Sequence, residues 1–304
     1  MRRWAAIAVE AGAVVGDRIV IWVPGALAWL CTIGWIPLVV GVTPPPSEGD
    51  LIFLGARIFG SALWPWNAVA IGLGALVAVT ILLGLAAVGD AALLDEIGPR
   101  RRGQRIAPGL LGIASLTALP ALVAFAILVT AVLNVAVGEF SAPDDSGGTG
   151  PILRTLGAVA PFLVLFAAAI GVGGALYAAA ARLVHDRGED MVGALAGSPR
   201  LLASAGMPAA VHVVVSGAVR IGLVVLSAVL LRVLWEPVGE RLAVAEVDAV
   251  TAALLVGFVA IWLCLILAGG AVQAWASAGW SILLIGRTTG AEPDRRRQES
   301  PIDR

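Results

Sequence analysis

Apolar positions in this chain come in long unbroken runs, not in the alternating or every-third-and-fourth patterns of half-buried strands and helices. Six runs, at about 19–41, 65–89, 108–137, 155–181, 210–234 and 249–272, each exceed the ~18 residues that mark a membrane-crossing helix. Backbone groups in hydrocarbon must be paired within the segment, so the pattern predicts helices and an all-α polytopic membrane protein with six transmembrane spans. Pro24, Pro37, Pro120 and Pro161 fall inside runs, where neighbouring helices can cover the carbonyls they free.

The polar positions set the orientation. Fifteen of the twenty arginines lie on the side that also holds both termini, three (Arg57, Arg154 and Arg241) lie in loops on the other side, and Arg220 and Arg232 fall within span five. The positive-inside rule therefore puts both ends in the cytoplasm. Eight of the ten tryptophans sit near span ends, as an aromatic belt requires; Trp29 and Trp262 are the mid-span exceptions. Residues 1–18 read as an amphipathic helix on the inner membrane face and not as a cleaved signal, since Glu10 and Asp17 interrupt it. Residues 19–286 then form the six-helix domain, and 287–304 a disordered basic cytoplasmic tail.

Composition narrows the function classes. Of 304 residues, 59% are hydrophobic and 13% charged, against about 45–50% and about 25% in soluble domains. That excludes a soluble globular protein, a nucleic-acid-binding module and a disordered chain. All twenty Lys+Arg residues are Arg, so no lysine exists to form a Schiff base or a phosphate-loop contact. The same bias suggests a GC-rich bacterial genome, hence a bacterial plasma membrane. Cys31 and Cys264 lie in apolar runs and read as packed thiols without a disulfide.

Small residues crowd span four, where 167–181 reads AAAIGVGGALYAAAA. Such surfaces let helices approach closely in lipid, which predicts span four at the centre of the bundle. The cytoplasmic ends of spans two (91–112) and four (180–203) share a charged Arg-Gly turn, a short amphipathic stretch, and Pro with Leu-Leu leading onward. Span six partly echoes them, which predicts three pseudo-repeated helical hairpins. The segment HDRGEDMVGALAGSPRLL (185–202) resembles a group of six-span bacterial membrane proteins that includes the membrane domain attached to some glycerophosphodiester phosphodiesterases and its stand-alone relatives. Pro199 departs from the group's pattern, which places a large residue after the serine. The resemblance implies the architecture; no catalytic domain accompanies the segment here, so no phosphodiesterase activity is expected from it.

Candidate chemistry is sparse. His185 and His212, with Asp186, Glu189 and Asp190, are the residues that could hold a metal or haem, and the expectation is no metal and no cofactor. No mid-membrane acid pair supports a proton relay, and Asp90, placed at a span end, reads as a solvated carboxylate. Arg220 is the one charge deep in a run with no acidic partner in another run. About 22 Å of helix separates it from Trp235, so its guanidinium snorkels to the inner interface, or binds an anionic headgroup or a partner's carboxylate. Arg100, Arg101, Arg102 and Arg105 form the second candidate site for lipid headgroups. Thr80, Thr117, Thr130, Asn134 and Ser216 are the main polar residues available to line a path. The expectation is a non-enzymatic accessory, scaffold or lipid-interacting membrane protein. Its partners would be anionic cytoplasmic-face lipids and protein subunits, not nucleic acid. A permease-like component for a lipid or small apolar solute is the alternative.

Overall fold

A computed structural model describes residues 2–44, 57, 60–63, 65–98, 106–141, 149–245 and 248–286. Among them every regular element is helical: α1 (Arg2–Asp17), α2 (Trp22–Trp29), α3 (Ile36–Val42), α4 (Trp66–Ile97), α5 (Ala107–Ser141), α6 (Thr149–Arg182), α7 (Met191–Ala205), α8 (Met207–Ala243) and α9 (Ala249–Ile285). Five helices are long and apolar enough to cross a membrane, and a sixth span results if the bent pair Ile19–Gly34 and Ile36–Val42, inclined at 53°, counts as one. The residue 287–304 tail and the Arg100–Arg105 cluster lie outside the described residues.

The burial pattern inverts that of a soluble protein. Along α4, Ile71 and Leu76 are 57% and 61% exposed, while Ala86, Ala87 and Gly89 are buried. Small residues mark the helix contacts and large aliphatics face outward, as association in lipid demands.

The chain divides into two compact units, one of residues 1–108 and 215–304, the other of residues 109–214. In the first, α2 packs tightly against α4 and α9. A Cβ on Gly25 or Gly269 would collide with the Gly270 carbonyl or the Trp29 indole respectively. One on Gly89 would come within 2.8 Å of the Pro24 carbonyl and 2.9 Å of the Ala28 nitrogen. Close packing in this unit therefore gathers on span one. In span four the small-residue segment is buried at Gly173 and at 178–181, with Ile170 and Val172 facing outward.

Span one is broken by a π-turn over Leu30–Gly34. Widening a helix loosens its carbonyls, and here side chains cover them. Thr32 Oγ1 donates to the Ala28 and Trp29 carbonyls at 2.8 and 3.1 Å, and Trp35 Nε1 to the Thr32 carbonyl at 3.1 Å. Pro37 contributes no N–H just beyond the turn, which helps fix the bend there.

The N-terminal helix packs within the first unit. Ala11 and Val15 of α1 enter a buried cluster with Ile21, Leu93, Ile97, Ala274 and Ala278. Trp22 Nε1 donates to the Val15 carbonyl, Trp275 Nε1 to that of Ala8, and Arg18 Nη1 to that of Glu96, at 3.0, 3.1 and 2.9 Å.

In the second unit the Arg-Gly turn acquires a physical reading. A π-turn over Leu183–Arg187 ends span four, and Gly188 at φ 71° stops it in the left-handed region, where glycine is favoured. Asp190 then caps α7, its Oδ1 accepting from Gly193 N at 2.9 Å. Asp248 caps α9 in the same way, accepting from Thr251 N and Oγ1, both at 2.8 Å.

Candidate functional site

Arg220 has an intramolecular partner. Its Nη2 donates to Gln273 Oε1 at 2.7 Å, and Gln273 Nε2 donates to Asp90 Oδ1 at 3.2 Å. One hydrogen-bonded row thus links spans five, six and two, with a cation at one end, an anion at the other and a neutral amide between. Gln273 suits that position because its amide carries an acceptor and donors on one planar group. A lone guanidinium in hydrocarbon is costly; here a carboxylate of the same chain supplies the opposite charge that acts on it. Arg220 Nε is buried and finds no acceptor among the described residues.

Sequence reasoning singled out Arg220 and missed its two partners. Asp90 was placed at the end of span two, but α4 runs on to Ile97, so Asp90 lies about two turns, or ~10 Å, inside the helix. Gln273 carries no charge and gave no signal. The reading of Arg220 as a charge without an acidic residue on another span is therefore corrected: the carboxylate is there, one amide away.

The other polar span residues are arranged differently. Thr80, Thr117 and Thr130 donate to the carbonyls of Leu76, Ile113 and Ala126 one turn earlier, at 2.8, 2.9 and 2.8 Å. Those hydroxyls are satisfied within their own helices. Thr130 and Asn134 also line an open groove of about 500 Å³ with Val123, Ala126, Ile127 and Phe162. His185 and His212 are both buried, and His185 Nδ1 lies 2.5 Å from Asp186 Oδ1. Among the described residues, no group of three or more His, Cys, Asp and Glu side chains could hold a metal ion. Cys31 is buried, Cys264 exposed, and both are free.

No family model, curated protein or solved structure matches this chain. The Arg220–Gln273–Asp90 row is a charge-compensated internal bridge. It ties three helices together without needing a lipid phosphate to balance Arg220.

Proposed function

We propose that this chain is a non-enzymatic multi-pass protein of a bacterial plasma membrane, acting as an accessory or lipid-interacting subunit of a membrane complex. In this reading it has six spans in three hairpins and both termini in the cytoplasm. The observation that supports the function is the closure of its packed centre. Spans one, two and six meet backbone to backbone at Gly25, Gly89 and Gly270, and Gly269 lies against the Trp29 indole, leaving no width for a solute between them. In the same unit Arg220 and Asp90 are bridged to each other through Gln273 and not committed to a path. In support of the hairpin arrangement, spans three and four with α7 form a compact unit of their own. The likeness of 185–202 to the phosphodiesterase-associated membrane domains belongs to this proposal at the level of architecture only. Arg100, Arg101, Arg102 and Arg105 are the residues proposed to meet anionic headgroups; Arg220 drops to second place because its charge has an internal counterpart.

A permease-like component for a lipid or small apolar solute is the second reading. The groove at Asn134 favours it, since its volume of about 500 Å³ lies within the range of small-molecule sites.

Gentle extraction from the native membrane, followed by mass spectrometry of co-purifying proteins and lipids, separates the two. A stoichiometric protein partner supports the accessory role. One retained lipid species without a protein partner, lost on enlarging Ala126 or Ala131 in the groove, supports transport and overturns the first reading.

A further inference from the structure

Spans three and four of the second unit are close at one end and apart at the other. A Cβ on Gly173 would collide with the Thr117 carbonyl, so backbone meets backbone there. About two helical turns further along, the rings of Phe125 and Phe166 stand between the helices, their centroids 5.6 Å apart. Alongside and beyond these rings opens the groove of about 500 Å³, walled on span three from Val123 to Asn134 and on span four by Phe162.

The groove has the length and the polarity of one lipid leaflet. The apolar part of span three runs Ala107–Val135, which puts Val123 just past its middle and Asn134 at its end. The stretch between them rises about 16 Å, close to half of a hydrocarbon core ~30 Å thick. Val123, Ala126, Ile127 and Ala131 keep that length apolar. Thr130 adds no donor to it, because its hydroxyl is spent on the Ala126 carbonyl at 2.8 Å.

At the open end the chemistry changes. Asn134 is exposed there, and its amide carries two donors and an acceptor. Thr155 lies two turns beyond Phe162 on the same face of span four. In the antiparallel register set by the Thr117–Gly173 and Phe125–Phe166 contacts, it is level with the turn that carries Asn134. Its Oγ1 is buried and has no hydrogen-bond partner among the described residues. Thr80, Thr117 and Thr130 instead turn their hydroxyls back to the carbonyl one turn earlier. A buried hydroxyl without a partner is uncommon and calls for one from outside the chain. No wall of the groove is charged, so its polar end suits a neutral ester oxygen and not a carboxylate.

We propose that the groove seats one hydrocarbon chain of a glycerolipid, with the chain end at Val123 and the ester oxygens bonded by the Asn134 amide and the Thr155 hydroxyl. The place selects the occupant. Lipid chains fill the space between the membrane midplane and its surface, and one chain laid along a leaflet-long slot brings its ester to the polar end. This names the substrate class for the permease-like reading, on which it rests.

The test uses the full-length protein in detergent micelles holding a trace of phosphatidylglycerol with a photoactivatable diazirine, placed either beside the ester or at the chain end. Mass spectrometry maps the cross-links. The chain-end probe labels the turn of Val123, the ester-side probe labels the turn of Asn134, and excess unlabelled phosphatidylglycerol removes both. Asn134→Leu with Thr155→Val weakens retention about tenfold, as expected for two hydrogen bonds of modest net strength. Ala126→Trp, which fills the groove, abolishes the labelling, whereas Leu122→Trp, exposed outside it, leaves it intact. Labelling in the reverse order, or labelling that unlabelled lipid does not compete, overturns the proposal. If decane competes and phosphatidylglycerol does not, the lipid assignment falls while a groove for a small apolar solute stands. If neither competes, the permease-like reading falls with it.

Discussion

Replacing Asp90 by Asn and Arg220 by Met, singly and together, probes whether the row across spans two, five and six works as a charge pair. Two hydrogen bonds of 2.7 and 3.2 Å with one amide between them put the charges about 8 Å apart. At an effective dielectric constant of about 20, that separation corresponds to about 2 kcal/mol of attraction. Asp90→Asn keeps a side-chain oxygen for Gln273 Nε2 and loses chiefly this attraction. Arg220→Met also loses the bond to Gln273 Oε1 and strands the carboxylate, for a total of about 3–5 kcal/mol. The double variant leaves no charge uncompensated, so it should be more stable than the sum of the single losses by about 2 kcal/mol, or ~30-fold in the unfolding constant. Reversible unfolding in mixed micelles, run on all four proteins of the cycle, measures that coupling. Strictly additive losses, with a coupling below about 0.5 kcal/mol, would mean that the charges do not sense each other and that the row is ordinary packing.

Three further outcomes follow from features elsewhere in the fold. Gly25→Ala drives a methyl into the Gly270 carbonyl and should cost about 1–3 kcal/mol by overpacking, whereas Gly222→Ala, which meets nothing within 4 Å, should leave the thermal midpoint unchanged or slightly raised. The Thr251 backbone N–H, then its hydroxyl and Arg241, hold the Asp248 carboxyl below its usual range. A lowered folded-state value means that this contribution is present above the ordinary carboxylate value of about 3.9 and is lost as pH falls through the lowered one. Asp248→Asn should therefore flatten the acid limb of the stability profile, and an unaltered limb would contradict the assignment. Ala11 is fully buried in the seat of α1, so Ala11→Glu should release that helix and expose it to limited proteolysis while the spans stay protected.

The spans were legible because hydrocarbon leaves the backbone no alternative to helix, and run length reports that constraint directly. The end of span two was not. Residues 90–97, DAALLDEI, mix carboxylates with leucines, so hydropathy stops at 89 while the helix continues to Ile97 and carries Asp90 inside. Arg220 stood out because a charge in a run is rare, but its partner Gln273 is an uncharged residue among alanines and tryptophans. A bridging amide is defined by what faces it, which no single run of sequence records. The alanine-rich stretch of span four is conspicuous by composition, whereas the tight contacts of the first unit fall at scattered glycines, with 25, 89 and 270 against backbone and 269 against the Trp29 indole. The sequence of residues 1–18 marks a helix but not the surface that receives Ala11 and Val15, because that surface is made of residues far along the chain.

That receiving surface has a consequence for how the protein is made. Part of the seat of α1 belongs to the last span: Ala274 and Ala278 line it, and Trp275 reaches back 267 residues to the carbonyl of Ala8. At roughly 5–20 residues per second of synthesis, α1 leaves the ribosome about 13–50 s before that surface exists. During that interval only the earlier part of the seat, Ile21, Leu93 and Ile97, has been made to cover its apolar stripe. The helix is therefore fully seated only once span six arrives, and any factor that lengthens the wait prolongs the time in which the first helix is exposed to the wrong partner.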